Sequence, residues 1–272
     1  MMLSLNALRA ALACISVLIG LTLPAAAHEF WIELKAFRVD PGAPIVADLK
    51  VGQNFRGDSY PYLKSRFVTF RSTDPAGSRD VKGDEGDTPA VNIRSAAKGL
   101  HVISYLATAH RLDFDKWEDF VSYVEYEGLG WVAEAHKRRG LPESSFAEEY
   151  VRCAKALVQV GEVSASDQDV ATGMPLELIA GHNPYAAPAP SELPVTLLWQ
   201  GKPIGDIQIR VFQDNGTVTD TTTRTDAAGR AVIPLQGGGR FLLNAVHMQE
   251  APPERAEKWE SYWASLTFEV RR

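Results

Sequence analysis

The side chains best suited to metal chemistry in this sequence are its six histidines, and one of them has a special position. His28 follows Ala25, Ala26 and Ala27, the small-residue pattern that a signal peptidase accepts. Cleavage after Ala27 would make His28 the first residue of the mature chain. Its α-amine and its ring Nδ1 could then close a six-membered chelate on one metal ion.

A second imidazole would complete a three-nitrogen arrangement known as a histidine brace. That donor set suits Cu(II) and is compatible with Ni(II). An α-amine has a reference pKa of about 7.7 to 8.0 and an imidazole of about 6.5, so a divalent metal can displace their protons near neutral pH. The competing interpretation is that His28 only marks the place where a signal peptide ends.

Two further histidines are candidates for the same metal site. His110 follows a predicted strand and precedes a helical segment, where a strand can deliver a side chain to the rim of a sandwich. His247 ends another predicted strand. The sequence therefore predicts a metal site formed by His28, His110 and His247, with satisfied polar residues at strand ends as the alternative for the last two.

The other polar candidates have weaker signals. His101 lies nine residues before His110, so on one regular strand the two would face opposite sides. His136 stands among charged residues, which is typical of a solvated helix face. Glu29 could supply a carboxylate, but a residue at this place is more often exposed.

The N-terminal residues 1–27 predict a removable signal peptide. Residues 10–23 carry no charge, and this run is shorter than the roughly 20 residues that span a bilayer. Cys14 lies inside the apolar run rather than at a lipoprotein cleavage site. We therefore expect an exported, periplasmic protein with no membrane span in its mature chain.

The composition of the mature chain limits the classes of partner that it can bind. Loss of Arg9 leaves 27 basic against 34 acidic residues, a formal charge of −7 with neutral histidines. No block of lysine and arginine offers a footprint for nucleic acid. Loss of Cys14 leaves Cys153 without an intramolecular disulfide partner, and its apolar surroundings predict a buried, inert thiol; a lone soft metal ligand is the alternative.

Most of the mature chain predicts short β-strands between turns. The clearest alternating segments are 30–38, 44–51, 66–71, 100–107, 193–199, 207–212, 221–225, 231–235, 240–247 and 262–270. The pattern changes over about 113–149, where Trp117, Phe120 and Val124 recur at helical spacing. This segment predicts a helical insertion that either caps the core or forms a lid.

A proline-rich stretch over residues 185–194 predicts a stiff connector. We place an N-terminal β domain at 28–184 and a C-terminal domain at 195–272. The second domain shows an immunoglobulin-like or transthyretin-like pattern of short strands. The predicted fold class is thus mainly β, with two sandwich-like domains.

Aromatic residues form a further conspicuous group, which comprises Trp31, Trp117, Trp131, Trp259, Tyr262 and Trp263. Packing in the core explains most of them. A platform for a sugar or siderophore-like ligand is the alternative, and it would require several rings exposed on one face.

Several ordered motifs carry a resemblance to a known family. They are 27–31 (AHEFW), 153–158 (CAKALV), 175–178 (PLEL), 183–184 (NP), 201–203 (GKP), 225–230 (TDAAGR), 242–247 (LLNAVH) and 261–268 (SYWASLTF). Together they resemble the exported, DUF4198-type bacterial family of unknown function that was formerly labelled as nickel-uptake, NikM-like proteins. At the position before Asn183, this chain has His182.

The resemblance implies a periplasmic accessory protein of transition-metal uptake. Its metal would be nickel or cobalt, with copper or zinc possible, and its partner would be a membrane uptake system. Two alternatives remain: a copper-dependent redox enzyme that uses the same brace, and a non-enzymatic ligand-binding or structural β protein. No phosphate loop, nucleophile elbow or catalytic triad is recognisable, so we expect no enzyme.

Overall fold

The computed structural model describes residues 28–271. The predicted signal peptide, with Cys14 and the cleavage position at Ala27, lies outside the described residues.

The described chain contains eighteen strands, two α-helices and a short 3₁₀-helix over Lys64–Arg66. The strands are β1 (Glu29–Leu34), β2 (Arg38–Val39), β3 (Pro44–Gln53), β4 (Arg56–Tyr60), β5 (Phe67–Asp74), β6 (Gly77–Asp80), β7 (Val91–Arg94), β8 (Gly99–Ala107), β9 (His110–Phe114), β10 (Phe146–Val160), β11 (Leu176–Ala180), β12 (Glu192–Trp199), β13 (Lys202–Pro203), β14 (Gln208–Asp214), β15 (Val218–Arg224), β16 (Arg230–Pro234), β17 (Gly239–Glu250) and β18 (Trp259–Val270). The helices are α1 (Trp117–Tyr126) and α2 (Trp131–Arg138).

Ten strands form one central sheet. Its order is β15-β14-β17-β18-β10-β8-β5-β6, and β2 and β9 also pair with β10. The pairing of β10 with β18 is parallel, whereas β17 and β18 are antiparallel. Strands from both halves of the sequence therefore belong to one continuous sheet.

Two smaller sheets cover the central sheet. The N-terminal sheet contains β1, β3, β4 and β7, and the C-terminal sheet contains β11, β12, β13 and β16. We call the side of β10 that carries Tyr150 and Arg152 the front face, and the side that carries Cys153 and Lys155 the back face. Successive residues of a strand alternate between these faces.

Side-chain contacts place one small sheet on each face. On the front, Thr267 of β18 donates a 2.6 Å hydrogen bond from Oγ1 to the carbonyl oxygen of Ile32 in β1. On the back, the Lys155 ammonium lies 3.3 Å from a carboxylate oxygen of Glu177 in β11. The molecule is a three-layer β structure, and the sandwich-like, mainly β fold predicted from the sequence is confirmed.

The sequence of β10 explains its central position. Its C-terminal half, 153–160, is buried on both faces. A strand covered on both sides needs a nearly continuous apolar run rather than an alternating one. Cys153 lies in this run, and its burial confirms the prediction of a buried thiol; burial also raises the pKa of that thiol to about 12.

The predicted helical insertion is present as α1 and α2. The segment between β9 and β10 is shorter than the expected 113–149, because Phe114 and Phe146 already pair as strand residues. Phe120, Val124 and Val132 pack with Trp259 and Trp263 of β18 in one buried cluster. The helices thus cap one end of the central sheet.

The proline-rich stretch at 185–194 does not separate two sheets. Tyr185, at its start, is buried and donates a 2.6 Å hydrogen bond from its hydroxyl to the carbonyl oxygen of Leu157 in β10. Glu192, near its end, already belongs to β12. The predicted division into two domains stays a prediction, whereas the shared central sheet is a finding.

Candidate cation site

The three histidines predicted to bind metal lie on three different elements. His28 directly precedes β1, His110 begins β9 and His247 lies in β17. The carbonyl oxygen of His28 accepts a 3.3 Å hydrogen bond from Nη2 of Arg152, on the front face. His28 is half-buried at this point.

His110 also borders Arg152. It is aligned with Tyr150, and the two rings stack with their centroids 5.5 Å apart. The Arg152 guanidinium lies 5.2 Å from the centroid of the same Tyr150 ring. Burial, followed by the charges of Arg152 and Arg66, lowers the pKa of His110. These surroundings favour a neutral imidazole, but they also repel a metal cation.

His247 faces away from the other two histidines. It is aligned with Tyr262, and Tyr262 is aligned with Val151, which lies on the back face. Its ring packs against Trp199 of the C-terminal sheet, with a centroid distance of 4.6 Å. The prediction of one site shared by His28, His110 and His247 is therefore wrong, because a sheet separates His247 from His110.

No group of three or more His, Cys, Asp or Glu side chains within residues 28–271 is arranged to hold a metal ion. The chelate predicted for His28 depends on an α-amine that exists only after cleavage. The residue on the other side of that bond, Ala27, lies outside the described residues, so the brace stays a prediction.

The residue beside His28 has chemistry that the sequence did not reveal. Glu29 was expected to be exposed, but its side chain is buried and its Oε2 has no hydrogen-bond partner. Burial raises the pKa of its carboxyl from 4.5 to about 7, and the nearby charge of Arg210 opposes this rise. A partner for Oε2 is missing within the described part of the chain.

A second buried carboxyl lies near the first. Glu127 follows the last turn of α1 and is 4% exposed. Burial raises the pKa of its carboxyl to about 8, and the charge of Glu29 is the next largest cause. Two carboxylates that share a buried site cannot both ionise cheaply, so the pair binds either a proton or a cation.

The front face beneath these carboxyls carries a row of polar residues. Arg210, Asn244 and Ser265 are aligned across β14, β17 and β18, and all three are buried. Arg210 Nε, Asn244 Nδ2 and Ser265 Oγ have no hydrogen-bond partner in the part of the chain that the structure describes. Buried polar atoms are normally paired, so this row has hydrogen-bonding capacity left for a water, ion or ligand.

Arg210 joins the polar row to the end of α1. Its Nη2 donates a 2.5 Å hydrogen bond to the carbonyl oxygen of Tyr126, and its guanidinium lies 3.6 Å from the Tyr126 ring centroid. Asp220 pairs with Arg210 at 2.7 Å and so balances its charge. We call Glu29, Glu127, Arg210, Asn244 and Ser265 the Glu29 cluster. Because Asp220 neutralises the charge of Arg210, the other ionisable groups of the cluster are the two carboxyls.

A third buried carboxyl extends this acidic region under α1. Oε1 of Glu148 accepts hydrogen bonds from the Tyr123 hydroxyl at 3.1 Å and from Ser261 Oγ at 3.2 Å. Its Oε2 has no partner among the described residues. Burial raises the pKa of Glu148 to about 8, and these two hydrogen bonds oppose the rise.

His101 and His136 have structural positions. His101 is aligned with Val158 and lies on the same face as His110, contrary to the prediction, because the strand breaks at residues 108–109. Along β10 their partners Val158 and Tyr150 are still eight residues apart, roughly 26 Å. His136 was predicted to be solvated, but it is fully buried against α1 and β18.

His182 and the aromatic residues complete the sequence candidates. His182 lines an open cavity of about 640 Å³ together with Arg38 and Tyr185. The prediction that most of the aromatics pack is confirmed for Trp31, Trp259 and Trp263, which are buried. Trp131 differs, since half of its surface is exposed although it contacts Trp259.

None of the helices between residues 28 and 271 is long and apolar enough to cross a bilayer.

Comparison with known proteins identifies one family. The family described as "Domain of unknown function (DUF4198)" matches residues 25–249, which is most of the chain. No curated protein matches the sequence.

Among solved structures, the chain is similar to the D0-D1 domain of intimin, with 15% identity over 88% of this chain and 97% of that one, at a TM-score of 0.21. A tetra-tandem repeat in the extending region of a large adhesion protein shows 11% identity over 90% and 50%, at a TM-score of 0.22. Escherichia coli alpha-2-macroglobulin activated by porcine elastase shows 10% identity over 90% and 31%, at a TM-score of 0.20. TM-scores this low do not define a shared fold.

Proposed function

Since the chain belongs to the DUF4198 family of domains of unknown function, we propose a function from the site itself: an exported, non-enzymatic protein that binds a transition-metal ion at the Glu29 cluster. His28 supplies the first ligand. Cleavage after Ala27 exposes its α-amine, and the periplasm is the compartment in which the protein acts.

One observation carries this proposal. Two buried carboxyls, Glu29 and Glu127, lie close enough for the charge of one to raise the pKa of the other. Glu29 directly follows His28, the predicted first residue of the mature chain. A cation between them would remove their mutual repulsion, and the unpartnered Oε2 of Glu29 could coordinate it.

The chemistry of the donors fits a divalent transition metal. His28 offers an amine and an imidazole nitrogen, and Glu29 and Glu127 offer carboxylate oxygens; these donors must close around the ion, because they are not prearranged within residues 28–271. A mixed nitrogen and oxygen set suits nickel, cobalt, zinc or copper, and the former label of the family favours the first two. In this proposal, Glu29 and Glu127 replace His110 and His247 as the further ligands.

The surrounding residues have positioning roles in this proposal. Arg152 holds the carbonyl oxygen of His28, which fixes the backbone from which the first ligand projects. Arg210 holds the end of α1 through the Tyr126 carbonyl and thereby places Glu127 over the front face. Since His28 is only half-buried, the metal can leave by ligand exchange and pass to a membrane uptake system.

The test is calorimetric titration of Ni(II), Co(II), Cu(II) and Zn(II) into protein that begins at His28. The comparison protein keeps one alanine before His28, which converts the amine into an amide but spares the imidazole. A Glu127→Gln variant removes one carboxylate without changing its shape. The control is Glu134→Gln, an exposed glutamate on α2.

We expect one tight equivalent of metal in the protein that begins at His28. Both the added alanine and Glu127→Gln should weaken it by more than about tenfold, because each removes a ligand. Equal, weak binding by all four proteins would overturn the proposal.

A second candidate function is a ligand-binding or structural module that needs no metal. It is favoured by one observation, that residues 28–271 contain no three-ligand group already arranged around an ion. Under this alternative, the cation-free protein is the working form, and the same titrations show no dependence on His28.

A further inference from the structure

A second charged site lies on the front face, where Arg152 has no acidic partner. Within residues 28–271, no carboxylate oxygen lies within 4 Å of its guanidinium, whereas Arg210 and Arg240 both pair with acidic residues. Arg152 is half-buried in β10. In an acidic protein of formal charge −6, an arginine in this setting without a counter-ion is unexpected.

Two aromatic rings hold the Arg152 side chain in place. Its guanidinium carbon lies 5.3 Å from the Phe30 ring centroid and 5.2 Å from that of Tyr150. Its one hydrogen bond to a described residue goes to the carbonyl oxygen of His28. A guanidinium has five N–H donors in a rigid fork, so most of this fork is free for an acceptor.

Other nitrogen-bearing groups gather around the same fork. His110 stacks on Tyr150, one of the two rings that contact the Arg152 guanidinium. Arg66 ends the 3₁₀-helix before β5, is exposed, and likewise has no carboxylate within 4 Å among the described residues. Both arginines are close enough to lower the pKa of His110. The charge at this place is therefore cationic, in contrast to the Glu29 cluster.

We propose that Arg152, together with Arg66 and His110, binds the carboxylate of a small organic acid. The fork of Arg152 can donate two parallel hydrogen bonds to a carboxylate, and the two positive charges stabilise it. The half-buried rings of Tyr60 and Tyr150 provide apolar surface for the carbon skeleton. An acid bound here would supply the counter-ion that Arg152 lacks.

This proposal does not depend on metal binding. The carboxylate site uses side chains of β9, β10 and the 3₁₀-helix, and none of them belongs to the Glu29 cluster. Arg152 also donates to the His28 carbonyl oxygen, so its variants can change metal affinity, and the carboxylate is therefore measured without metal. Titrating each ligand alone into the unmodified protein distinguishes the failure of one site from the failure of the other.

The test is calorimetric titration of citrate, malonate and benzoate, at constant ionic strength, into protein stripped of metal on a chelating resin. Inorganic phosphate is titrated in parallel. Arg152→Met keeps the aliphatic stem between the rings but removes the fork, and Arg152→Lys keeps the charge as well. The matched control is Arg138→Met, since Arg138 is exposed on α2 and has no carboxylate within 4 Å in the described chain.

We expect saturable binding of at least one organic acid by the unmodified protein and by Arg138→Met. Arg152→Met and Arg152→Lys should each weaken binding by more than about tenfold, which corresponds to a lost charge-assisted hydrogen bond. Circular dichroism checks that each variant is folded, and Arg152→Lys decides the result if Arg152→Met does not fold.

Three results would overturn the proposal. The first is no binding of any organic acid by the unmodified protein. The second is unchanged affinity in the folded Arg152 variants. The third is binding of phosphate alone with the same dependence on Arg152, which would identify an inorganic anion site instead.

Discussion

The indole N–H of Trp259 donates a 3.0 Å hydrogen bond to Nδ1 of His136. The other ring nitrogen, Nε2, lies 2.9 Å from the carbonyl oxygen of Pro142 and must donate to it. The proton of the neutral ring is thereby fixed on Nε2. Burial lowers the pKa of His136, in agreement with a neutral ring that ties α2 to β18.

His136→Ala should lower the free energy of unfolding by roughly 2 to 4 kcal/mol. The variant removes two hydrogen bonds and leaves a cavity against Phe120 and Phe146. Urea denaturation followed by tryptophan fluorescence measures the change. Arg138→Ala, exposed on the same helix, is the control; equal small effects in both variants would show that the buried contacts of His136 contribute nothing.

Glu127 should make the metal-free protein less stable as the pH rises. Its pKa is about 8 in the folded protein and 4.5 as the ordinary value, so the folded state binds the extra proton between these values. Stability is then full below about pH 4.5 and is lost as the pH rises toward 8, by at most about 1.4 kcal/mol per pH unit.

Glu127→Gln should remove that loss, because glutamine cannot ionise. The free energy of unfolding of the variant should exceed that of the unmodified protein at pH 8.5 and approach it at pH 5. Denaturation curves across this range provide the comparison, with Glu134→Gln as an exposed control. Parallel pH profiles for all three proteins would contradict the shared burial of Glu29 and Glu127.

Lys155→Met should destabilise the protein by about 3 to 5 kcal/mol. The Lys155 ammonium is fully buried and lies 3.0 Å from Asp169 and 3.3 Å from Glu177, so the variant leaves two buried carboxylates without a cation. Chemical denaturation measures the loss against Lys98→Met, an exposed control. A loss below about 1 kcal/mol would mean that the two carboxyls simply take up protons.

His247→Ala should leave the affinity for nickel unchanged in protein that begins at His28. The imidazole faces the back of the central sheet, and its neighbours are Trp199 and Tyr262 rather than the proposed ligands. Titration calorimetry compares this variant with Glu127→Gln, for which we expect weaker binding. A large loss of nickel affinity in His247→Ala, with none in Glu127→Gln, would instead indicate a metal site on the back face.

Much of the fold could be predicted from local patterns. Alternating residues predicted β14 and β17, the dipeptide Asn215-Gly216 marks the hairpin turn between β14 and β15, and the three-and-four spacing around Phe120 predicted α1. These signals are local because they arise from strand and helix periodicity. The parallel pairing of β10 with β18 has no such signal, since the two strands are far apart in sequence.

The candidate site was predicted only in part, for the same reason. His28 stood out because of its place after the three alanines, whereas Glu29 resembled an ordinary exposed strand residue. Glu29 is 2% exposed, and this burial arises from tertiary packing, which leaves no local signal in the sequence. His136 was misjudged because its charged neighbours in sequence point elsewhere on α2, while its own position faces Trp259.

The parallel pairing of β10 with β18 also dictates when the molecule can fold. β18 is the final strand of the described chain and occupies the middle of the central sheet, between β17 and β10. During synthesis, the central sheet therefore keeps two open strand edges, on β17 and β10, until this segment emerges and pairs. Such edges are templates for association between chains, so the protein is most exposed to aggregation before β18 pairs with both neighbours.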